Sequence, residues 1–294
     1  MRSVMKSVVR LMIKPALSGA TPVAVQRRWI NAIGLTLLGP KDARYSEQRI
    51  AGVPVLRILA GTQAPQRVVL YLHGGAFVMG GFASHRKLAA SIAQAAQAEV
   101  WLPDYRLAPE HPHPAALQDA LAVYAHLLEQ GHDARSISIA GDSAGGGLSL
   151  SLAVAIRDAG LPQPAALCLL SPWVDLGQNG STIASHAHRD PMLSLSWLKA
   201  SSAHYRGTCA VDDPACSPLF ARLDNLPPVL IQVGSEEILL DDAQRLHQAL
   251  QEAGQVSELQ CYDGLWHVFQ LHSRILKEAD QAIGAIASFL KKRS

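Results

Sequence analysis

The chain of 294 residues is poor in several features that mark whole protein classes. It has four cysteines, Cys168, Cys209, Cys216 and Cys261, too few for a disulfide framework. None belongs to a C-x-x-C pair, so no metal site is expected from spacing. Cys168 and Cys261 fall in apolar, strand-like runs and read as buried small hydrophobes. Cys209 and Cys216 share a loop-like stretch and leave a bond between them open. Aromatic residues make up 5%, which is scant for a base-stacking surface. With 26 basic and 24 acidic residues the net charge is +2, too balanced to grip nucleic acid. No uninterrupted apolar run approaches the ~18 residues of a membrane span. What is plentiful is apolar: 49% hydrophobic against 17% charged residues excludes a disordered chain. The length supports a full core without metal or disulfide staples.

The N-terminal stretch carries Lys6, Arg10 and Lys14 at intervals of four, with Val4, Val8, Leu11 and Met12 on other faces. That spacing predicts an amphipathic helix rather than the apolar centre of a cleaved leader. The expectation is a retained helix packed over an apolar neighbour, in a cytoplasmic protein.

From about residue 50 two periods alternate. Strands are expected at 53–59, 67–73, 99–103, 136–141, 165–170, 228–233 and 256–262. Helices are expected at 87–98, 114–130, 144–159, 241–253 and 273–292. Continuous apolar strands alternating with helices imply an α/β fold with a mostly parallel sheet covered on both faces. Residues 1–45 and 176–215 break this rhythm. They read as helical cap segments over a single catalytic unit made of 46–175 and 216–294.

Gly141-Asp142-Ser143-Ala144-Gly145 follows one strand and opens a helix. This is G-x-S-x-G in the strand–turn–helix setting of a nucleophile elbow. The glycines let neighbouring backbone approach a serine held in a strained turn. No Lys-Ser/Thr pair follows them, so a phosphate-binding loop is excluded. Seventy residues earlier, His73-Gly74-Gly75-Ala76-Phe77 follows a buried strand. Acyl transfer develops negative charge on a carbonyl oxygen, and fixed backbone N–H groups stabilise it. Gly74, Gly75, Ala76 and Ala144 are the candidate donors, Ala76 on condition that its φ is negative. His73 is expected to hold that loop by a hydrogen bond.

A serine nucleophile needs a base, and the base needs a carboxylate. In the chain order serine, acid, histidine, the candidate bases are His247, His267 and His272. His247 falls inside a helix, His272 is expected to be solvated, and His267 lies in the loop just past a strand. The acid must follow strand 228–233, where Glu236, Glu237, Asp241 and Asp242 compete. Asp241 and Asp242 read as first-turn charges of a helix. Asp104, Arg106, Glu110 and Asp119 are expected to form a buried or half-buried network behind the glycine-rich loop. Asp142 is expected to anchor backbone rather than act as a base.

Four segments carry a resemblance: Tyr71–Phe77 (YLHGGAF), Asp104–Pro112 (DYRLAPEHP), Gly141–Gly146 (GDSAGG) and Trp266–Phe269 (WHVF). Together they resemble the GDSAG subgroup of the bacterial hormone-sensitive lipase family, over nearly the whole chain. The resemblance implies an α/β-hydrolase fold and hydrolysis of small carboxylic esters with short or medium acyl chains, without a cofactor. It implies catalysis by Ser143, His267 and, at the family's acid position, Glu237. It also implies a homodimer through about 256–292. Ala76 departs from the family's third glycine and leaves the pairing of Gly75 with Gly74 or with Ala76 open. Two other readings are an amidase or peptidase with the same triad, and a ligand receptor on the same fold. The family's receptors lack the histidine that stands here as His267.

Overall fold

The computed structural model describes residues 1–293, so Ser294 lies outside the described part of the unit 216–294. Its elements run α1 (Arg2–Met12), α2 (Val23–Thr36), β1 (Arg44–Ile50), β2 (Val53–Leu59), β3 (Val68–Leu72), α3 (Phe82–Ala96), β4 (Glu99–Pro103) and α4 (Ala115–Glu129). They continue with β5 (Ile137–Asp142), α5 (Ala144–Asp158), β6 (Ala166–Leu170), α6 (Thr182–Ser185) and α7 (Leu195–Arg206). The chain closes with β7 (Val229–Gly234), α8 (Leu240–Glu252), β8 (Ser257–Tyr262) and α9 (Lys277–Lys291). All eight strands form one sheet in the order β1-β2-β4-β3-β5-β6-β7-β8. β1, β2 and β4 pair antiparallel, and every pair from β4 to β8 is parallel.

The core follows from the two-residue period of a strand. In β3, Leu70 and Leu72 join the cluster that holds Leu148 of α5 and Leu246 of α8. Val69 and Tyr71 join the opposite cluster, with Leu88 of α3 and Ile286 of α9. All five residues of β3 are buried, because helices cover both faces. Each fully buried Val or Leu contributes roughly 1.5–3 kcal/mol.

Two expectations need correcting. No strand was expected at 44–50, yet β1 lies there. It is an edge strand with five exposed residues of seven, so it lacks the apolar signal that marks its neighbours. Cys261 is exposed rather than buried, since β8 is the opposite edge and pairs only with β7. Cys168 is buried as expected.

The N-terminal helix forms, but turned the other way from the expectation. Arg2 pairs with Glu278, and Lys6 Nζ lies 2.8 Å from a Glu236 carboxylate oxygen. Arg10 donates to the carbonyls of His188 and Arg189, and Lys14 to those of Ala187 and Asp190. Met1, Val4, Val8, Leu11 and Met12 are exposed. The cations face the body because a ring of acceptors waits there. Val9 and Ile13 supply the buried apolar contact.

In the parallel part of the sheet, β3, β5, β7 and β8 all end at one edge. The loops leaving that edge carry His73–Phe77, Ser143, Glu237 and His267. Ligands of such sheets bind beyond the strands' carboxyl ends.

Candidate active site

Ser143 links β5 directly to α5, with φ 54° and ψ −121°. Such a conformation costs an L-residue about 1–3 kcal/mol and persists only where its surroundings enforce it. Here the Ser143 N–H donates to the carbonyl of Leu170, and its own carbonyl accepts from Gly147 and Trp173. Gly145 must lack a side chain: a Cβ there would stand 2.0 Å from the carbonyl oxygen of Leu72.

Among the competing carboxylates, the fold sorts the four. Glu237 Oε2 lies 2.7 Å from His267 Nδ1. Its other oxygen accepts from the N–H of Gly234 at 2.6 Å and the hydroxyl of Ser171 at 2.8 Å. Glu236 turns outward to Lys6. Asp241 caps the N–H of Ser181, and buried Asp242 accepts from the N–H groups of Val174 and Asp175. His247 is bound to Ser257 Oγ, away from the site. His272 is buried rather than solvated. Burial lowers its pKa to about 4.

His267 is itself almost fully buried. Burial opposes its charged form, yet the hydrogen bond and charge of Glu237, helped by Asp190 and Asp142, outweigh it and raise the pKa. Ser143 and His267 line one cavity with Gly75 and Asp142, roofed by Ile13, Leu17 and Ile33 from the N-terminal segment and by Met192, Leu193 and Trp197.

The glycine-rich loop contradicts one expectation. The Gly74 N–H donates to Asp142 Oδ1 at 3.0 Å, so it is engaged. Ala76 has φ +53°, not negative, within a run in which Gly75 and Phe77 are also positive. That left-handed turn costs alanine about 1–2 kcal/mol. Among the described residues, no group accepts from the N–H of Gly75, Ala76 or Ala144. His73 holds the loop as expected: its Nδ1 lies 2.8 Å from the carbonyl oxygen of Gly74, and its ring stacks on Tyr105. Burial lowers its pKa to about 3, so it is a neutral donor.

Asp142 anchors as expected. It accepts from the Tyr71 hydroxyl, the Gly74 N–H and His85. The buried or half-buried network expected behind the loop is instead two separate pairs, with Asp104, Arg106 and Glu110 exposed and only Asp119 buried. Arg106 binds Asp119, while Glu110 is exposed and binds Arg27 of α2. Arg27 also donates to the carbonyls of Val78 and Ala108.

Two supporting residues escaped the sequence reading. Ser171 (φ +48°) donates to Glu237 and accepts from the N–H of Val268. It thereby fixes both the acid and the histidine loop. Buried Asp190 accepts from the N–H groups of Met192, Leu193 and Ile238. It ties the cavity roof to the residue after Glu237. Ser171 could have been suspected, since it directly follows β6 at the catalytic edge; no local signal marks Asp190.

A carboxylate holding an imidazole that shares a cavity with a serine at a strained turn suits acyl transfer. Residues 69–271 match the family model described as alpha/beta hydrolase fold. The chain belongs to the α/β-hydrolase family. The hydrolase is 39% identical to an esterase of Acinetobacter venetianus over 242 residues, covering 82% of this chain and 80% of that protein. It is 41% identical to an acetyl-hydrolase of Streptomyces hygroscopicus over 225 residues, 76% of this chain and 75% of the other. A crystal structure of an esterase from the bacterial hormone-sensitive lipase family superposes with a TM-score of 0.93 at 39% identity, covering 98% and 97% of the two chains. These likenesses place the hydrolase among the bacterial hormone-sensitive lipase esterases, as a carboxylic ester hydrolase.

Proposed function

We propose that the hydrolase cleaves short- to medium-chain carboxylic esters through an acyl-enzyme on Ser143, with His267 as base and Glu237 as its orienting acid. The observation that carries this reading is the 2.7 Å contact of buried Glu237 with His267, which lines one cavity with Ser143. The Ser143 hydroxyl gives its proton to His267 Nε2 as Oγ attacks the ester carbonyl carbon. The resulting oxyanion is held by the N–H groups of Gly75, Ala76 and Ala144, while Gly74 keeps the loop on Asp142; the positive φ of Ala76 re-aims its N–H without engaging it, so the condition of a negative φ falls away. Collapse expels the alcohol, which takes the proton from His267. Water then repeats the sequence and releases the acid. No step calls for a cofactor. The apolar roof suits an acyl or alkyl chain.

In this reading residues 1–45 and 176–215 act as a cap over the unit 46–175 and 216–294. Support comes from contacts between the two cap segments: Trp197 Nε1 donates to Gln26, and Ser194 Oγ to the Leu17 carbonyl. The N-terminal helix is a working part of the enzyme, in keeping with a cytoplasmic location, which cell fractionation tests. No helix among the described residues is long and apolar enough to cross a membrane. The half-exposed edge of β8 supports pairing with a second copy through about 256–292, which light scattering tests.

The deciding experiment is labelling with an organophosphate. One adduct per chain is expected, on the peptide containing Gly141–Gly146. Labelling elsewhere would overturn the assignment. Rates on p-nitrophenyl esters of rising acyl length then place the preference, and matched amides separate esterase from amidase.

A further inference from the structure

One cluster of chemically active side chains lies outside the proposed active site. His113, Cys209 and Cys216 come from segments about a hundred residues apart in sequence, yet each offers a ligand atom within 4.8 Å of the other two. Both cysteines are free thiols; Cys216 is buried and Cys209 half-buried. Two sulfurs and one imidazole nitrogen are a soft donor set that suits zinc. Around a tetrahedral zinc, with Zn–S near 2.3 Å and Zn–N near 2.0 Å, such donors stand roughly 3.5–3.8 Å apart. The observed cluster therefore needs to close by only about an ångström.

The surrounding backbone is held in place. The Cys209 N–H donates to the Arg206 carbonyl, and Arg206 returns a bond to the Cys209 carbonyl. The Cys216 N–H donates to the Asp213 carbonyl. On the other side, the His113 N–H donates to the carbonyl of Tyr205 at 2.7 Å. Tyr205 in turn stacks on Phe77, with ring centroids 3.5 Å apart, at the end of the glycine-rich loop.

We propose that His113, Cys209 and Cys216 form a zinc site with one position open to water, which ties the segment after α7 to the loop before α4. Binding replaces the two thiol protons, which leave to solvent, so two thiolates balance the dication. No oxidant is involved. The bound ion braces Tyr205 against Phe77 from behind and takes no part in ester hydrolysis.

Cobalt(II) is the probe, added to the full chain kept reduced. The expected result is one ion per chain, with an intense sulfur-to-cobalt charge-transfer band in the near ultraviolet and tetrahedral visible bands. Zinc should displace it. Cys209→Ser and Cys216→Ser should each abolish the charge-transfer band. His113→Gln should weaken binding at least tenfold, and Cys261→Ser should change nothing. Retained ester hydrolysis certifies that each variant is folded; Cys209, half-exposed, is the safer of the two substitutions. Absence of the band in the reduced protein overturns the proposal. So does a band that survives Cys209→Ser, or a Cys209–Cys216 disulfide that forms with no metal bound by the dithiol.

Discussion

The catalytic edge of the sheet and the N-terminal segment are held together by opposite means. At the edge, every anchoring group is buried and bonded to backbone: Asp142, Ser171, Asp190 and Glu237 together accept or donate across five loops. The strain at Ser143 persists because its backbone bonds to Leu170, Gly147 and Trp173 over-determine it. The α1 helix is tied instead by half-exposed cations reaching acids and carbonyl oxygens at the rim, and it turns apolar residues to solvent. Exposed pairs contribute little each. The difference teaches that geometry is fixed by buried bonds at the proposed site of chemistry, while the outer helix is held by contacts that solvent weakens.

The comparison breaks most sharply at the nucleophile. Ser143→Ala should lower kcat on the order of 10⁶-fold while leaving the thermal midpoint near its original value; full activity would sink the mechanism. Glu237→Gln should cost about 10⁴-fold in rate, because the imidazolium loses its partner, whereas Asp241→Asn should stay within a few-fold. With His267 as the proposed base, which works when neutral, kcat/KM should fall as pH drops through its pKa, which Glu237 and its neighbours raise above the ordinary histidine value. Glu237→Gln should move that acid limb to lower pH. A limb that stays put reassigns the acid.

Stability offers the next test. The His272 pKa is lowered by burial to about 4 and that of His73 to about 3. Unfolded histidine titrates near ~6.5, so the chain takes up protons more readily when unfolded. The stabilising contribution of neutral His272 is complete above that value and is lost as pH falls toward about 4. The loss amounts to about 3 kcal/mol. His272→Gln should flatten the fall in melting temperature over that window, leaving the part due to His73. An unchanged slope rejects the assignment.

The cap should respond more gently. Lys6→Ala together with Arg10→Ala removes about 1 kcal/mol of rim attachment. The expected readout is a raised KM for longer acyl chains, with kcat for the shortest ester unchanged. A matching fall in kcat would mean that α1 reaches the chemistry. The smallest effect concerns chelation: treatment with a chelator should leave hydrolysis of short esters within about twofold, while any stabilisation from an ion at His113, Cys209 and Cys216 disappears from the melting curve.

Legibility in the sequence followed burial. Strands with both faces covered announce themselves as continuous apolar runs, so β3 to β7 were readable nearly to the residue. β1 was not, since an exposed edge strand has no apolar pattern to show. Ser143 and His267 could be singled out as candidates because an elbow and a loop past a strand narrow the choice, and the fold brings both to one cavity. Glu237 needed the family's acid position, because four neighbouring carboxylates look alike without the turn that separates them. The direction of α1 was misread for a physical reason: periodicity says that a helix has two faces, but the acceptors that attract one of them come from residues 170 to 280 positions away. His113 escaped pairing with the two cysteines for the same reason.

Asp142 carries a last consequence. It is the residue before Ser143, and its carboxylate holds the Gly74 N–H and the Tyr71 hydroxyl. A Cβ at Gly74 would stand 2.1 Å from one of its oxygens. The turn at Ser143 and the glycine-rich loop are therefore gripped by one side chain, so a change that shifts Asp142 shifts both. Alignment between the two parts of the proposed site is thus set by one carboxylate rather than by two independent supports.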